Sequence, residues 1–192
     1  MSRNPNPQGK GLAPVLDSLT ASRTQLSVPP KPVDQVSSEL FTSLFVLHSE
    51  FHFKPVPGKR YCLYRKRDGF RLSLIAPGEW GDGRFGQYIG ECVLQTDLTW
   101  TLRFDARAAQ DPCLLALIEA QRKAFERRLA AAETLDGALP AFDASLPFYR
   151  RVFAAALAHS LELSMRKSGI LGLTYRQARG LLTEPAAGRR DP

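Results

Sequence analysis

The chain has 192 residues, of which 44% are hydrophobic, and this is enough for one domain with a substantial core. Its 26 lysines and arginines exceed its 19 aspartates and glutamates, and the net charge of +7 favours attraction to polyanions. The apolar content excludes a wholly disordered chain, whereas a charge excess of this size does not by itself establish nucleic-acid binding.

Cysteine usage and hydropathy bear on the location of the protein. The three cysteines are an odd set without a CxxC pair and are interpreted as reduced core residues: Cys62, Cys92 and Cys113. Prolines and glycines break the apolar residues of Met1 to Leu19, so no secretory signal is predicted. The longest apolar run, Val152 to Ala158, is far below the roughly 20 residues that span a bilayer. We therefore expect a cytoplasmic protein that is not embedded in a membrane.

Composition also divides the chain. Residues 1–31 are rich in Pro, Gly, Asn, Gln and Ser and are predicted to form a mostly disordered N-terminal tail. Residues 32–183 are predicted to form a single α+β domain, and residues 184–192 a disordered C-terminal tail. The first helix of that domain begins near Pro32, because apolar residues then recur every three or four positions: Val33, Val36, Leu40, Leu44, Leu47 and Phe51.

A β-hairpin is predicted where Tyr61 to Lys66 and Phe70 to Ala76 flank Asp68-Gly69. A two-residue turn there would place Leu63 opposite Leu74, and Lys66 opposite Arg71.

A second hairpin is predicted from Gln87 to Leu94 and from Leu98 to Phe104, where apolar and polar residues alternate. A three-residue connection from Gln95 to Asp97 would set Cys92 opposite Trp100. The sequence therefore predicts an α+β fold with a four-stranded antiparallel β-meander, made of two hairpins, with one face in water.

Helices are predicted on the C-terminal side of the sheet, two to three in number. Asp111 caps the first, whose buried stripe is Leu114, Ile118, Phe125 and Leu129. The second starts at Ser145 and Pro147 and ends near Gly169, with an apolar face of Phe148, Val152, Ala155, Ala156 and Leu163. A short helix from Thr174 to Leu182 closes the domain.

The first hairpin carries most of a basic cluster with aromatic residues between the cations. Its candidate binding residues are Lys54, Lys59, Arg60, Tyr64, Arg65, Lys66, Arg67 and Arg71. Positive charge next to the rings of Tyr61, Tyr64 and Phe70 is typical of surfaces that bind single-stranded nucleic acid. An anionic partner would also relieve the repulsion expected between Lys66 and Arg71. The alternative is a solvated face that keeps the chain soluble.

A glycine-rich string follows, Gly81-Asp82-Gly83-Arg84-Phe85-Gly86, which resembles the phosphate loop of protein kinases over about ten residues. The lysine, the catalytic Asp and Asn, and the DFG of a kinase do not follow. The string is interpreted as a flexible connection between the hairpins. The alternative is a lid over a nucleotide or small molecule within residues 78–86, formed by Trp80, Gly81, Gly83, Arg84, Phe85 and Gly86.

Two further patterns indicate sites only weakly. His48 and His52 are four residues apart on the predicted first helix, but two ligands do not make a metal site, and no metal or cofactor is predicted. Residues 168–182 have the spacing of a helix-turn-helix, with Arg176 and Arg179 on its second helix. An ordinary helical hairpin that closes the core is the simpler interpretation.

No nucleophile elbow, paired-acid signature or metalloprotease helix occurs, so the sequence favours a non-enzymatic protein. The function predicted is that of an intracellular binding or accessory protein whose basic hairpin face contacts a nucleic acid or an acidic protein surface. The alternatives are a nucleotide or small-molecule binder or enzyme that uses the glycine-rich loop, and a structural or assembly protein that packs through Ala154 to Ala158.

Overall fold

A computed structural model describes residues 28–79, 86–140 and 146–183. The helices are α1 (Val33–His48), α2 (Pro112–Ala131), α3 (Phe148–Lys167) and α4 (Tyr175–Thr183), and the strands are β1 (Arg60–Lys66), β2 (Gly69–Ser73), β3 (Gln87–Leu94) and β4 (Trp100–Phe104). Short 3-10 turns occupy Ala108–Gln110 and Asp136–Ala138. The predicted fold class is confirmed, because the four strands form one antiparallel sheet between an N-terminal helix and C-terminal helices.

The strand order is β2-β1-β3-β4, so the two hairpins join through their first strands and leave β2 and β4 at the edges. Glu50 lies beside the β2 edge and forms a parallel bridge with Arg71. The Glu50 N–H donates to the Phe70 carbonyl at 2.7 Å, and the Leu72 N–H donates to the Glu50 carbonyl at 2.9 Å. These two bonds satisfy part of an edge that would otherwise be open to pairing with another chain.

The register of the first hairpin differs by two residues from the prediction. Leu63 lies opposite Leu72, and Arg71 lies opposite Tyr64 rather than Lys66, so the predicted repulsion between opposed cations is wrong. The turn consists of Arg67 and Asp68, with Gly69 at φ +137 directly after it. Neither turn residue has the positive φ of the I′ turn that Asp-Gly favours, and the glycine absorbs the unusual backbone angle instead. A shift of two keeps every side chain on its predicted face.

The second hairpin is also shifted by two residues. Cys92 lies opposite Leu102, not Trp100, and the loop spans the five residues 95–99. The Gln95 N–H donates to the Thr99 carbonyl at 2.8 Å, and Leu98 takes a positive φ of 67°. The longer loop follows from a contact distant in sequence, because Asp97 at its centre is bonded to Lys31.

The core lies between the helices and one face of the sheet. Trp100, Tyr61 and Leu63 on the sheet pack in one cluster with residues of all four helices. The buried residues of α2 are the predicted ones, Leu114, Ile118, Phe125 and Leu129. The predicted face of α3 is wrong in part: Ala155 is exposed and Leu163 is half-buried, whereas the buried line runs through Phe153, Leu157, Leu161 and Met165. Alanines occur on both sides of α3, and they hide its phase in the sequence.

Three predicted helix ends are confirmed. The Asp111 side chain accepts hydrogen bonds from the N–H groups of Cys113 and Leu114 at the start of α2. Gly169 ends α3 at φ +69, where the Ile170 N–H donates to the Met165 carbonyl at 3.0 Å. Thr174 caps α4, since its hydroxyl accepts from the Gln177 N–H at 3.2 Å. Within the described ranges, no helix has the length and apolarity needed to cross a bilayer.

A buried ion triad anchors the segment before α1. Lys31 is 4% exposed, and its Nζ lies 2.5 Å from Glu39 Oε2 and 2.6 Å from Asp97 Oδ2. Val28 is buried as well, so packing begins inside the predicted N-terminal tail, whose residues 1–27 lie outside the described structure. The triad ties this segment to α1 and to the β3–β4 loop.

The triad predicts a stability window in pH. Burial opposes the charge on Lys31, but hydrogen bonds and charges from Asp97 and Glu39 raise its pKa above the ordinary 10.5. Burial likewise opposes the charge on Asp97, but bonds from Lys31 and Thr99 hold its pKa below 3.8. The triad therefore contributes stability above about pH 4 that is lost as pH falls through the Asp97 pKa, and stability below about pH 10.5 that is lost as pH rises through the Lys31 pKa.

Urea unfolding across pH would measure this contribution as the difference between wild type and the variant Lys31→Met/Glu39→Gln/Asp97→Asn. We expect the difference to be flat at neutral pH and to change towards both extremes. A difference that does not vary from acid to alkali would contradict the assignment.

Candidate anion-binding face of the sheet

The second face of the sheet carries the side chains that alternate with the core residues, and it has no helix packed on it among the described residues. We call it the wet face. Its members are Arg60, Cys62, Tyr64, Lys66, Arg71, Ser73, Tyr88, Glu91, Val93, Thr101 and Arg103. A bulge in the β1–β3 pairing between Leu63 and Tyr64 keeps both Tyr64 and Tyr88 on this side.

One carboxylate on the wet face is shared by two arginines. Glu91 Oε2 lies 2.6 Å from Arg103 Nη2, and Glu91 Oε1 lies 3.9 Å from Arg60 Nη1. The arginine side chains are 75% and 79% exposed, for Arg60 and Arg103 respectively. A single negative charge cannot neutralise both, so this end of the wet face keeps a net positive charge.

A second shared carboxylate lies at the β2 edge. Arg71 donates from Nη2 to Glu50 Oε1 at 2.7 Å and from Nε to Oε2 at 3.0 Å, and Lys66 Nζ lies 3.8 Å from the same group. The hydrogen bonds from Arg71, helped by the charges of Arg71 and Lys66, hold the pKa of Glu50 below its usual value. Glu50 stays ionised at neutral pH and positions both cations towards solvent.

The structure divides the predicted basic cluster. Lys54, Lys59 and Arg67 are exposed in loops and make no ion pair with the residues that the structure describes. Arg65 points to the helix side of the sheet, where it contributes to lowering the pKa of Asp111, mainly set by the hydrogen bond from the Gln87 amide.

The two ends of the cluster are separated by the length of β1. Lys59 and Arg60 lie at its start, and Lys66 and Arg67 at its end, about 20 Å away at the rise of a strand. The cluster is therefore two basic groups on one sheet, with Arg65 apart from both.

The aromatic residues of the cluster are not available for stacking. Tyr64 is 5% exposed, and its hydroxyl donates to the Ile75 carbonyl at 2.9 Å. Tyr61 stacks on Phe53 within the core, and Phe70 packs against Phe45 with ring centroids 4.6 Å apart. The cations, rather than the rings, are what this surface offers to a partner.

The middle of the wet face holds a thiol between two phenols, and all three stay protonated at neutral pH. Burial raises the pKa of Cys62, and the nearby Glu91 charge adds to the effect. Burial also raises the pKa of Tyr64 to about 12 and that of Tyr88 to about 12. A thiol of raised pKa is a poor nucleophile, so this cluster does not favour covalent catalysis.

Two interpretations of single residues are wrong. Cys113 is exposed at the start of α2, so it is not a core residue, whereas Cys92 is fully buried. The predicted histidine pair does not lie on one helix, because α1 ends at His48 and His52 follows the Glu50 bridge, 3.6 Å from the Glu50 carboxylate. In the described part of the chain, no three His, Cys, Asp or Glu side chains are grouped to hold a metal.

Most of the glycine-rich loop lies outside the described residues, including Trp80, Gly81, Gly83, Arg84 and Phe85. Gly86 is described: it has φ +92, and an added Cβ would lie 2.2 Å from the Arg65 carbonyl oxygen. This close backbone approach explains that glycine without a ligand. The loop site stays a prediction.

The spacing at residues 168–182 forms a helical hairpin that closes the core. Ala178 is buried, and the Leu135 N–H donates to the Leu173 carbonyl at 2.9 Å. Arg179 lies 3.4 Å from Asp34 of α1, while Arg176 is exposed. DNA binding by this hairpin stays a prediction.

The sequence did not reveal a groove of about 800 Å³ between α1, α2 and the start of β2. Phe41, Phe45, Phe70 and Phe125 line it, together with Arg128. One signal was present: Phe41 and Phe45 lie beside the predicted stripe of α1 and widen it beyond what a single core contact requires.

Comparison with known proteins adds a family of unassigned function. Residues 34–114 match the model of a family described as "Protein of unknown function (DUF2452)". The match covers α1, the whole sheet and the start of α2, which is less than half of the chain. No solved structure matches the chain.

Proposed function

We propose that this protein is a non-enzymatic binding protein that contacts an anionic partner through the wet face of its sheet. The observation that carries the proposal is the sharing of Glu91 by two highly exposed arginines, Arg60 and Arg103. The partner class we favour is nucleic acid, which presents a regular array of phosphates. A cytoplasmic location accompanies this proposal as a prediction.

The arrangement supports phosphate contact in two ways. Guanidinium groups suit phosphate oxygens because their planar donors match the geometry of the anion. Glu91 pre-positions both arginines at opposite sides of one carboxylate, and this reduces the side-chain entropy lost when a phosphate binds. Lys59 adjoins Arg60 and adds a third cation at the same end of the sheet.

The buried rings limit the mode of recognition. Since Tyr61 and Tyr64 are in the interior, base stacking is not part of the proposal. We infer contact with the backbone phosphates, which carries little sequence preference and depends strongly on salt.

Filter binding of a short single-stranded oligonucleotide at several salt concentrations tests the proposal. The variant Arg60→Gln/Arg103→Gln removes two phosphate contacts, and its affinity should fall most at low salt. The slope of log affinity against log salt should decrease by about 1.4, at about 0.7 per phosphate contact.

The matched control is Lys123→Gln/Arg127→Gln, which removes the same charge from exposed positions of α2. It should leave the slope unchanged. Binding that is absent at low salt, or a control that loses as much as the wet-face variant, would refute the proposal. Binding of an acidic peptide in place of the oligonucleotide would identify a protein partner instead.

Glu91→Gln provides a test in the opposite direction. The substitution releases two arginines from their shared carboxylate and removes one negative charge, so affinity for the oligonucleotide should rise about threefold to tenfold. A loss of affinity, measured in the same assay, would show that Glu91 acts in another way.

A further inference from the structure

We propose that the groove between α1, α2 and β2 is a binding site for a small amphipathic anion, a molecule with an apolar body and one carboxylate or similar group. This site is separate from the wet face and does not depend on the function proposed for it. Its volume of about 800 Å³ falls within the roughly 300–1,000 Å³ of small-molecule sites.

The floor of the groove is aromatic and already ordered. Phe41 meets Phe125 with ring centroids 5.7 Å apart, which joins α1 to α2. Phe45 meets Phe70 at 4.6 Å, which joins α1 to the sheet. Between these two contacts the helices diverge, and Leu44, Phe45 and Phe70 remain half-exposed towards the groove. A preformed apolar surface of this kind binds without a large ordering cost.

The walls set the charge of the occupant. Among the described residues that line the groove there is no carboxylate, and Arg128 on α2 is the permanently charged side chain. Arg128 is exposed and makes no ion pair with the residues that the structure describes. Apolar walls with one cation and no anion favour a ligand with one negative charge at the end of an apolar body.

The opposite wall strengthens this preference. Gly69 and Phe70 line the groove, and their neighbours Lys66 and Arg71 form the basic group held by Glu50. The groove therefore opens between Arg128 on one side and the basic end of the hairpin on the other. A cationic ligand would meet repulsion from both sides.

Decanoate is a suitable probe, with decanol as the uncharged molecule of the same chain length. Titrations of the full chain followed by amide NMR should show saturable shifts around Phe45, Phe70 and Ala124 with decanoate, and weaker ones with decanol. Arg128→Gln should weaken decanoate about fivefold and leave decanol unchanged. Arg127→Gln, one position away and outside the lining, should alter neither.

A space-filling variant tests the location without emptying the core. Ala124 is exposed on α2 and lines the groove, so Ala124→Trp should leave the fold intact and abolish binding of both probes. The proposal is overturned if decanoate gives no saturable shifts, if Ala124→Trp binds normally, or if Arg127→Gln weakens decanoate as much as Arg128→Gln. It is also overturned if the groove becomes available only after residues 1–27 are removed or the protein is diluted, because a segment or second copy would then be the occupant.

Discussion

Replacing Lys31 by alanine is expected to destabilise the protein by about 3–5 kcal/mol, the usual cost of removing one partner from a buried ion pair. The substitution leaves the carboxylates of Glu39 and Asp97 facing each other across the space of the lost ammonium group. It also releases the segment from residue 28 onwards and the β3–β4 loop, since Lys31 joins both to α1. Urea unfolding measures the effect directly.

Two comparisons isolate the charge from the packing. Lys31→Met/Glu39→Gln/Asp97→Asn removes all three charges and should recover a large part of the loss, because no uncompensated charge remains. Lys123→Ala removes an exposed lysine 3.5 Å from Glu119 and should change stability by less than about 0.5 kcal/mol. A loss below about 1 kcal/mol for Lys31→Ala would mean that the triad is not a buried anchor.

Gly90→Ala is expected to be as damaging, at about 3 kcal/mol or more, and to reduce the population of folded protein. Gly90 lies at the centre of the sheet, opposite Leu63 on β1 and Phe104 on β4. An added Cβ would lie 2.1 Å from the Arg103 carbonyl oxygen and 2.9 Å from the Phe104 Cα. Both are backbone atoms of β4, so relief requires the strands to separate.

Gly180→Ala is the matched control for this substitution. Gly180 lies within α4, and an added Cβ there meets nothing within 4 Å. Because alanine is the better helix former, the control should be neutral or stabilise the protein by up to about 1 kcal/mol. Thermal unfolding of the two variants would contradict the packing account if Gly90→Ala melted near the wild-type temperature.

Much of the fold could be predicted from local sequence patterns. The α1 stripe, the alternation in β4 and the cap at Asp111 each require only neighbours along the chain, and the structure has all three. Face assignment was robust for a physical reason: both hairpin registers were wrong by two residues, and a shift of two leaves each side chain on the same face.

What failed depended on contacts distant in sequence. The five-residue loop between β3 and β4 is held by Lys31 and by Ser160, whose hydroxyl donates to the Asp97 carbonyl at 2.5 Å. The position of Glu50 beside β2 could not be predicted either, because a single bridging residue has no periodic pattern. That position neutralises part of the basic hairpin.

The candidate site was predicted in kind but not in composition. Lys54, Lys59 and Arg60 were assigned from local charge, whereas Arg103 was missed because it is over forty residues away along the chain and becomes a neighbour only through the β3–β4 pairing. The register pairs Arg103 with Glu91, and this pairing moves the emphasis of the site from the hairpin turn to the β3–β4 side of the sheet.

The most direct test of the wet-face proposal is amide NMR of the full chain with a short single-stranded oligonucleotide at low salt. The proposal predicts salt-sensitive shifts that follow the wet face, strongest at Arg60, Glu91 and Arg103, and much reduced in Arg60→Gln/Arg103→Gln. Shifts confined to the helical hairpin at residues 168–182, or to α2, would contradict it and place the anionic partner elsewhere on the molecule.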